Sequence, residues 1–173
     1  MRFVKPSPEE QQRLMDESTY LYGEEMFRYG EFKLKENAIA TAQQEVKGHL
    51  ADLKPPAQML FFVLEDEKIK QNIGYIWFNI FKAKTANQQT RAFLAYIFIN
   101  EEQRRKGYAQ IAMQRYETMA RSRGAKKSIL NVFQGNTAAM NFYKKLGYTI
   151  IDELGYYEAR GITNTRCQML KSL

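Results

Sequence analysis

The sequence predicts an α/β fold: a central, mostly antiparallel mixed sheet with one parallel strand pair, flanked by helices. Three features predict it. The chain opens with two segments of helical periodicity and then changes to long β-rich runs. Two of those runs are separated by a short polar turn, the pattern of an antiparallel hairpin. Further on, residues 92–133 read strand, helix, strand, which implies one right-handed parallel crossover. The expected order is α α β β β α β α β β, with a short strand over Arg2–Lys5 as an optional start.

Each element has a local reason. Ser7 can cap a first helix over residues 7–30, Pro8 suits its first turn, and Glu9 and Glu10 favour its N-terminal dipole. Leu14, Tyr20 or Leu21, and Phe27 would form its apolar face. A second helix is expected over Glu36–Leu53, ended by Pro55 and Pro56, with Ile39, Ala42, Val46 and Leu50 as its stripe. "QMLFFVLE" and "NIGYIWFNIF" are the hairpin strands around the turn "DEKIKQ". "TANQQT" is a loop, and "AFLAYIFI" is a strand apolar on both faces, as expected of a central strand. After Gly107 a helix buries Ala109, Ala112, Met113, Tyr116, Met119 and Ala120 and stops at Gly124. "KKSILNVF" is the next strand. Asn136 caps the helix "TAAMNFYKKL", which ends at Gly147. "YTIIDEL" and "TRCQML" are the last two strands, joined by a loop around Gly161.

Composition narrows the function. With 173 residues, 45% of them hydrophobic, the chain can bury a good-sized core, and one domain over residues 1–173 is expected. The longest apolar stretches, Ile73–Phe81 and Ala92–Ile99, are too short to span a bilayer, and "MRFVKPSPEE" lacks the apolar core of a signal peptide. A cytoplasmic protein without a membrane partner is the expectation. Cys167 and His49 are each alone, which leaves no intrachain disulfide, no Cys/His zinc site and no supported Cys–His catalytic pair; no metal is expected. A net charge of +7 favours an anionic partner: RNA, an acidic membrane surface or a phosphorylated cofactor. The cations crowd into Arg104–Lys127.

That crowding centres on "YIFINEEQRRKGYAQIAMQRY", residues 96–116, where a strand gives way to a helix. A helix N-terminus offers unpaired main-chain N–H groups and a partial positive charge. Gly107 lets an anion approach the backbone, and Arg104, Arg105 and Lys106 add charge around it. The stretch suits a phosphate or diphosphate; the plainer alternative is a solvated basic turn before an ordinary helix. Neither a Walker loop nor a G-x-G-x-x-G fingerprint is present.

"RRKGYA" resembles the R-x-x-G-x-A form of the acetyl-CoA-binding motif of the GNAT superfamily of N-acetyltransferases. "LNVFQGNTAAMNFYKKLGY" resembles that family's second signature, through Asn136, Ala139, Tyr143, Gly147 and Tyr148. The two stand in the family's order at an ordinary separation, and the resemblance covers roughly residues 93–148. It implies a GNAT-like fold. Residues 1–90 would form the acceptor side, 91–150 the acetyl-CoA-binding core and 151–173 the final strands. The parallel pair would splay, and its first strand would carry a bulge. It implies acetyl-CoA as co-substrate. The turn Arg104, Arg105, Lys106, Gly107, Tyr108, Ala109 and Gln110 would hold the diphosphate, chiefly by main-chain N–H groups. Ile97, Phe98 and Ile99 would pair with the pantetheine arm as a strand does. Asn131, Asn136 and Ala139 would line the other wall. Lys145 would reach the nucleotide phosphates or else stand as a solvated lysine.

The implied activity is acetyl transfer from acetyl-CoA to a primary amine of a small molecule or protein, by direct attack in a ternary complex. Tyr143 is the candidate acid for the departing thiolate, against a plainer reading as a core-facing aromatic. An N–H near Phe98 would hold the oxyanion. Many relatives carry a carboxylate on the strand before the turn; residues 92–100 contain none, and Tyr96 stands near that position. Glu24, Glu25, Glu65 or a water relay are the alternatives for the base. Tyr22, Tyr75, Trp77 and Tyr96 would shape the acceptor site or simply pack the core. Two other functions compete with it. One is an acyl-CoA sensor without turnover, against which the retention of Tyr143 argues. The other is a basic RNA-binding module, against which stand the lack of an RNP1-like strand motif and the clustering of cations at one helix start. The acceptor amine, the use of other acyl groups and the oligomeric state, a homodimer included, stay open.

Overall fold

In the computed structural model, which describes residues 1–53, 58–153 and 166–173, the elements follow the expected order with the optional first strand present. They are β1 (Arg2–Val4), α1 (Pro8–Arg28), α2 (Lys35–Asp52), β2 (Gln58–Asp66), β3 (Gln71–Phe81), β4 (Arg91–Ile99), α3 (Tyr108–Ser122), β5 (Lys127–Phe133), α4 (Thr137–Lys145), β6 (Thr149–Glu153) and β7 (Arg166–Ser172). The seven strands take the order β1-β2-β3-β4-β5-β7-β6, so the last strand inserts beside β5 ahead of β6. The chain leaves β4, passes through α3 and returns to β5, its neighbour in that order, which makes this the parallel pair. Among the described residues no helix is long and apolar enough to cross a membrane.

The chain folds as two compact units. The first comprises Met1–Leu14, Pro55–Ile129 and Ser172–Leu173; the second comprises Met15–Lys54 and Leu130–Lys171.

In the first unit, β1 to β4 form an antiparallel ladder built on the predicted hairpin, with Met59 opposite Asn79 and Phe62 opposite Ile76. β3 is its core: Ile73 to Ile80 are all buried, on both faces. β4 is central as expected, fourth of the seven strands, though Phe93 and Ala95 to Phe98 are only half-buried. An apolar run identifies a strand without saying which side is covered. α3 buries Ala112, Met113, Tyr116 and Ala120, while Ala109 and Met119 sit half-exposed at the margin. Tyr116 is fully buried, meets Phe78 edge-on at 4.8 Å, and shares a 2.7 Å hydrogen bond with the buried Ser128 hydroxyl.

The buried faces of the two helices agree with those predicted at Leu14 and Ala42 and differ elsewhere. Ser7 caps α1 as expected, accepting the Glu10 N–H at 3.2 Å. Yet α1 buries Leu14, Met15, Ser18 and Met26 and leaves Tyr20 and Phe27 47% and 42% exposed. α2 buries Ala38 and Ala42; Ile39, Val46 and Leu50 are half-buried flanks. Met26, Ala38, Ala42 and Phe133 form one buried cluster, because small alanines let α2 approach α1 closely. β6 and β7, expected as the last two strands, pair antiparallel, Thr149 opposite Leu170. The expected loop around Gly161 and the stop at Pro55 and Pro56 lie outside the described residues.

The second unit also buries a charge network that no local pattern announced. Arg166, 3% exposed, lies in β7 and forks onto Glu31, with its Nε 2.6 Å from Oε1 and Nη2 on Oε2. Its Nη1 donates to Glu45 at 3.0 Å and contacts the Tyr22 hydroxyl, which itself donates to Glu45 at 2.7 Å. The guanidinium lies over the rings of Tyr22 and Phe133 at 5.1 and 5.3 Å. Burial works against the Arg166 charge, but Glu31, Tyr22 and Glu45 outweigh it and raise its affinity for the proton further. A paired ion in such a place is costly to orphan. Glu31→Gln should therefore destabilise the fold by about 3 kcal/mol, read from the shift of the urea midpoint. A loss under about 1 kcal/mol would show that the pair behaves like an exposed one.

Candidate active site

The first unit brings together the end of β4 and the basic turn. Asn100 donates its N–H to the Ile73 carbonyl at 2.9 Å, and Tyr75 and Trp77 stand opposite Phe98 and Tyr96. Antiparallel pairing alternates, so the main-chain groups of Phe98 and Tyr96 turn toward β3, and those of Ile97 and Ile99 turn away. Arg104 confirms the phase: its Nε donates to the Ile99 carbonyl at 2.9 Å, from the side away from β3. The ladder slips by one between Trp77 and Phe78, which makes Ala95 the extra residue of a β-bulge. Gly74 allows the strand end to lie where it does. Its φ is +150°, and a Cβ there would collide with the Phe98 carbonyl. Sequence reasoning missed Gly74, because its need arises from a strand some 25 residues away.

After a single 3-10 turn over Glu101–Gln103, the chain takes an unusual path. Arg105, at φ +63°, and Gly107, at φ +82°, both adopt the left-handed conformation, which costs a non-glycine residue about 1–2 kcal/mol. Alternation of this kind points successive N–H groups into one concavity, a shape that holds anions. Nothing lies within 4 Å of where a Gly107 side chain would begin, so the turn opens outward there. The first intrahelical bond runs from the Ile111 N–H to the Gly107 carbonyl at 3.2 Å, so the N–H groups of Tyr108, Ala109 and Gln110 point out of the end of α3.

Two side chains expected to carry charge or contact to a ligand instead brace this turn. Arg104 has two fixed contacts, its bond to Ile99 and its place over the Phe98 ring at 5.5 Å. Tyr108 hydrogen-bonds Asp66 at the end of β2, and Asp66 also accepts the Lys68 N–H at 2.8 Å. The Tyr108 bond holds the Asp66 carboxyl below the usual range and raises the phenol. Arg105 is exposed, and Lys106 reaches Gln103 at 3.0 Å.

The second unit carries Asn131, Asn136, Ala139, Tyr143 and Lys145. Asn136 caps α4, its Oδ1 accepting the Ala139 N–H at 3.1 Å. The Asn131 Oδ1 accepts from Gln168 at 3.2 Å, and Lys145 is exposed. Tyr143 is buried against Tyr148, rings 5.8 Å apart and edge-on. Burial, and secondarily the charge of Glu25, push its hydroxyl well above the ordinary tyrosine range, so it keeps its proton.

The remaining candidates sort by their neighbours. Glu24 is paired with Lys35, a bond that draws its carboxyl below the usual range. Glu65 pairs with Arg2 at 2.9 Å. Tyr22 belongs to the Arg166 network, Tyr75 and Trp77 are buried, and half-buried Tyr96 stacks on Tyr75 at 6.1 Å.

The comparisons with known proteins point one way. The profile of the Acetyltransferase (GNAT) family matches residues 12–148. YycN of Bacillus subtilis strain 168, an uncharacterized N-acetyltransferase, is 30% identical over 136 residues, covering 78% of this chain and 83% of YycN. Its crystal structure superposes with a TM-score of 0.74 at 27% identity, over 87% of this chain and 93% of that one. YdgE, another uncharacterized N-acetyltransferase of that strain, is 34% identical over 80 residues; the match spans 46% of this chain and about half of YdgE, 49%. The PaiA N-acetyltransferase of Thermoplasma acidophilum, crystallised in complex with coenzyme A, shares the fold at a TM-score of 0.65 and 18% identity, over 99% of this chain and 98% of that one.

A ligand-bearing turn and a merely basic one differ in what a methyl at Gly107 would do. Gly107→Ala should weaken coenzyme A binding by about tenfold or more in calorimetry, with the helical content of the free protein unchanged. Unchanged affinity would place the ligand elsewhere.

Proposed function

The chain belongs to the acetyltransferase (GNAT) family, and from that premise we propose that it transfers the acetyl group of acetyl-CoA to a primary amine of a small molecule or protein. The amine attacks the thioester directly, both substrates being bound together. The observation that carries this reading is the left-handed turn at Arg105 and Gly107 where α3 begins. It supports a diphosphate held by main-chain N–H groups from Arg105 to Gln110, with the Arg105 and Lys106 charges around it.

From that anchor the pantetheine arm runs along the end of β4, on its side away from β3. Its partners there are the main-chain groups of Ile97 and the N–H of Ile99, since the Ile99 carbonyl is taken by Arg104. The pairing phase favours the Ile97 N–H over that of Phe98 for the oxyanion, because Phe98 is turned to β3. In this assignment Asn131, Asn136 and Ala139 line the other wall and Lys145 reaches toward the nucleotide.

An alkyl ammonium with a pKa near that of lysine must lose a proton before it attacks, at a cost of roughly 4–5 kcal/mol at pH 7. The neutral nitrogen bonds the carbonyl carbon, charge gathers on the oxygen, and the C–S bond breaks as the amide forms. The leaving thiolate resembles that of cysteine in basicity, so a phenol can protonate it. Tyr143 suits this step because its burial keeps the O–H intact.

Tyr143→Phe should lower kcat by about 100-fold in a thiol-release assay while coenzyme A affinity stays within about twofold. The raised pKa also has a sign: an acid must be protonated, so wild-type kcat should be undiminished at about pH 10, where an ordinary phenol would be half ionised. Unchanged turnover in the variant would remove Tyr143 from the chemistry.

A further inference from the structure

The turn between β4 and α3 offers a ligand main-chain N–H groups, and something outside the turn must set their direction. We propose that Asp66, at the end of β2, is a positioning residue for the diphosphate: through the Tyr108 hydroxyl it orients the first N–H groups of α3. This rests on the reading of that turn as the anchor of coenzyme A.

Asp66 lies at the end of the β2–β3 hairpin, opposite Gln71, and is 7% exposed. Its two oxygens have different partners. Oδ1 accepts the Lys68 N–H at 2.8 Å, a bond local to the hairpin that shapes its turn. Oδ2 accepts the Tyr108 hydroxyl, 42 residues along the chain. The hairpin turn is served by the first bond and has no need of the second. Tyr108 is the first residue of α3, directly after the left-handed Gly107. A tyrosine side chain has few rotatable bonds, so holding its hydroxyl restrains the backbone that carries it. The N–H groups of Tyr108, Ala109 and Gln110 share that restraint, because they belong to one helical turn.

The same hairpin end holds the start of the turn. The Asn100 N–H donates to the Ile73 carbonyl and its side-chain amide to the Asn72 carbonyl, both at 2.9 Å. Asn72 Oδ1 in turn accepts the Gly74 N–H at 2.8 Å. The left-handed residues Arg105 and Gly107 therefore lie between two points fastened to one hairpin. The manner of fastening also suits a ligand. α1 and α4 tie up N–H groups of their first turns with their own side chains, Ser7 and Asn136, whereas α3 has no side-chain cap. A cap would occupy N–H groups that an anion needs. The bond to Asp66 orders the helix start and leaves them open.

The sign of the effect separates positioning from simple electrostatics. The Tyr108 bond keeps the Asp66 carboxyl ionised at neutral pH. On charge alone, deleting an anion beside a diphosphate site would tighten coenzyme A binding. Deleting a positioning residue loosens it.

Titration calorimetry on the intact chain tests this with coenzyme A and with pantetheine, which lacks the diphosphate. Asp66→Ala and Tyr108→Phe should each weaken coenzyme A binding by about tenfold and leave pantetheine binding within about twofold of wild type. The double variant should lose no more than about twofold beyond either single one, because both act through one bond. Asp66→Asn keeps an acceptor for the hydroxyl and should recover most of the affinity. Tyr108→Phe leaves the Lys68 bond in place, so it carries the test even if Asp66→Ala fails to fold. Unchanged or tighter coenzyme A binding in Tyr108→Phe, equal losses for both ligands, or additive losses in the double variant would overturn the role of Asp66. A wild-type protein that binds coenzyme A no more tightly than pantetheine would instead overturn the anchor reading beneath it.

Discussion

The main-chain turn between β4 and α3 is the constraint on which the rest depends. Two left-handed residues, Arg105 and Gly107, aim consecutive N–H groups outward at the point where α3 contributes its own. Such a path is strained for arginine by about 1–2 kcal/mol. It persists because both of its flanks are fastened: Arg104 to the Ile99 carbonyl and the Phe98 ring, and Tyr108 to Asp66. A basic stretch needs none of this to be soluble. Bracing on both sides of an outward-facing, anion-shaped concavity is what a binding site requires.

The same division of labour recurs through the molecule. Side chains with obvious chemistry often do structural work, and the backbone presents the contacts. Arg104 is a brace, Tyr108 is a brace, and the Ile97 and Ile99 main chain is what β4 turns away from β3. In the second unit, Arg166 of β7 bonds Tyr22 of α1, Glu31 between the helices and Glu45 of α2, and so ties these segments together. Buried polar groups of this kind are expensive unless fully paired, and this network joins a guanidinium to two carboxylates and a phenol.

How much of this was legible in the sequence follows from the range of each interaction. Strands and helices were readable because period and capping act within a few residues; Ser7, Asn136 and Gly107 all stand where local rules put them. The covered faces were less readable. Tyr20 and Phe27 look like core residues by type, but α1 turns Met15 and Met26 inward instead. The supports of the site were not readable. Arg166 and Glu31 are 135 residues apart, Tyr108 and Asp66 are 42 apart, and neither pair leaves a periodic trace. Glu24 and Glu25 are equivalent in sequence; only the packing of α1 shows that Glu24 bonds Lys35.

The most direct test of the turn compares coenzyme A with pantetheine, which lacks the diphosphate, by titration calorimetry on the intact protein. If the concavity at Arg105 and Gly107 is the anchor, coenzyme A should bind at least about 100-fold more tightly, and the difference should narrow as salt is raised. Equal affinity for the two ligands, or no uptake of coenzyme A at all, would contradict it.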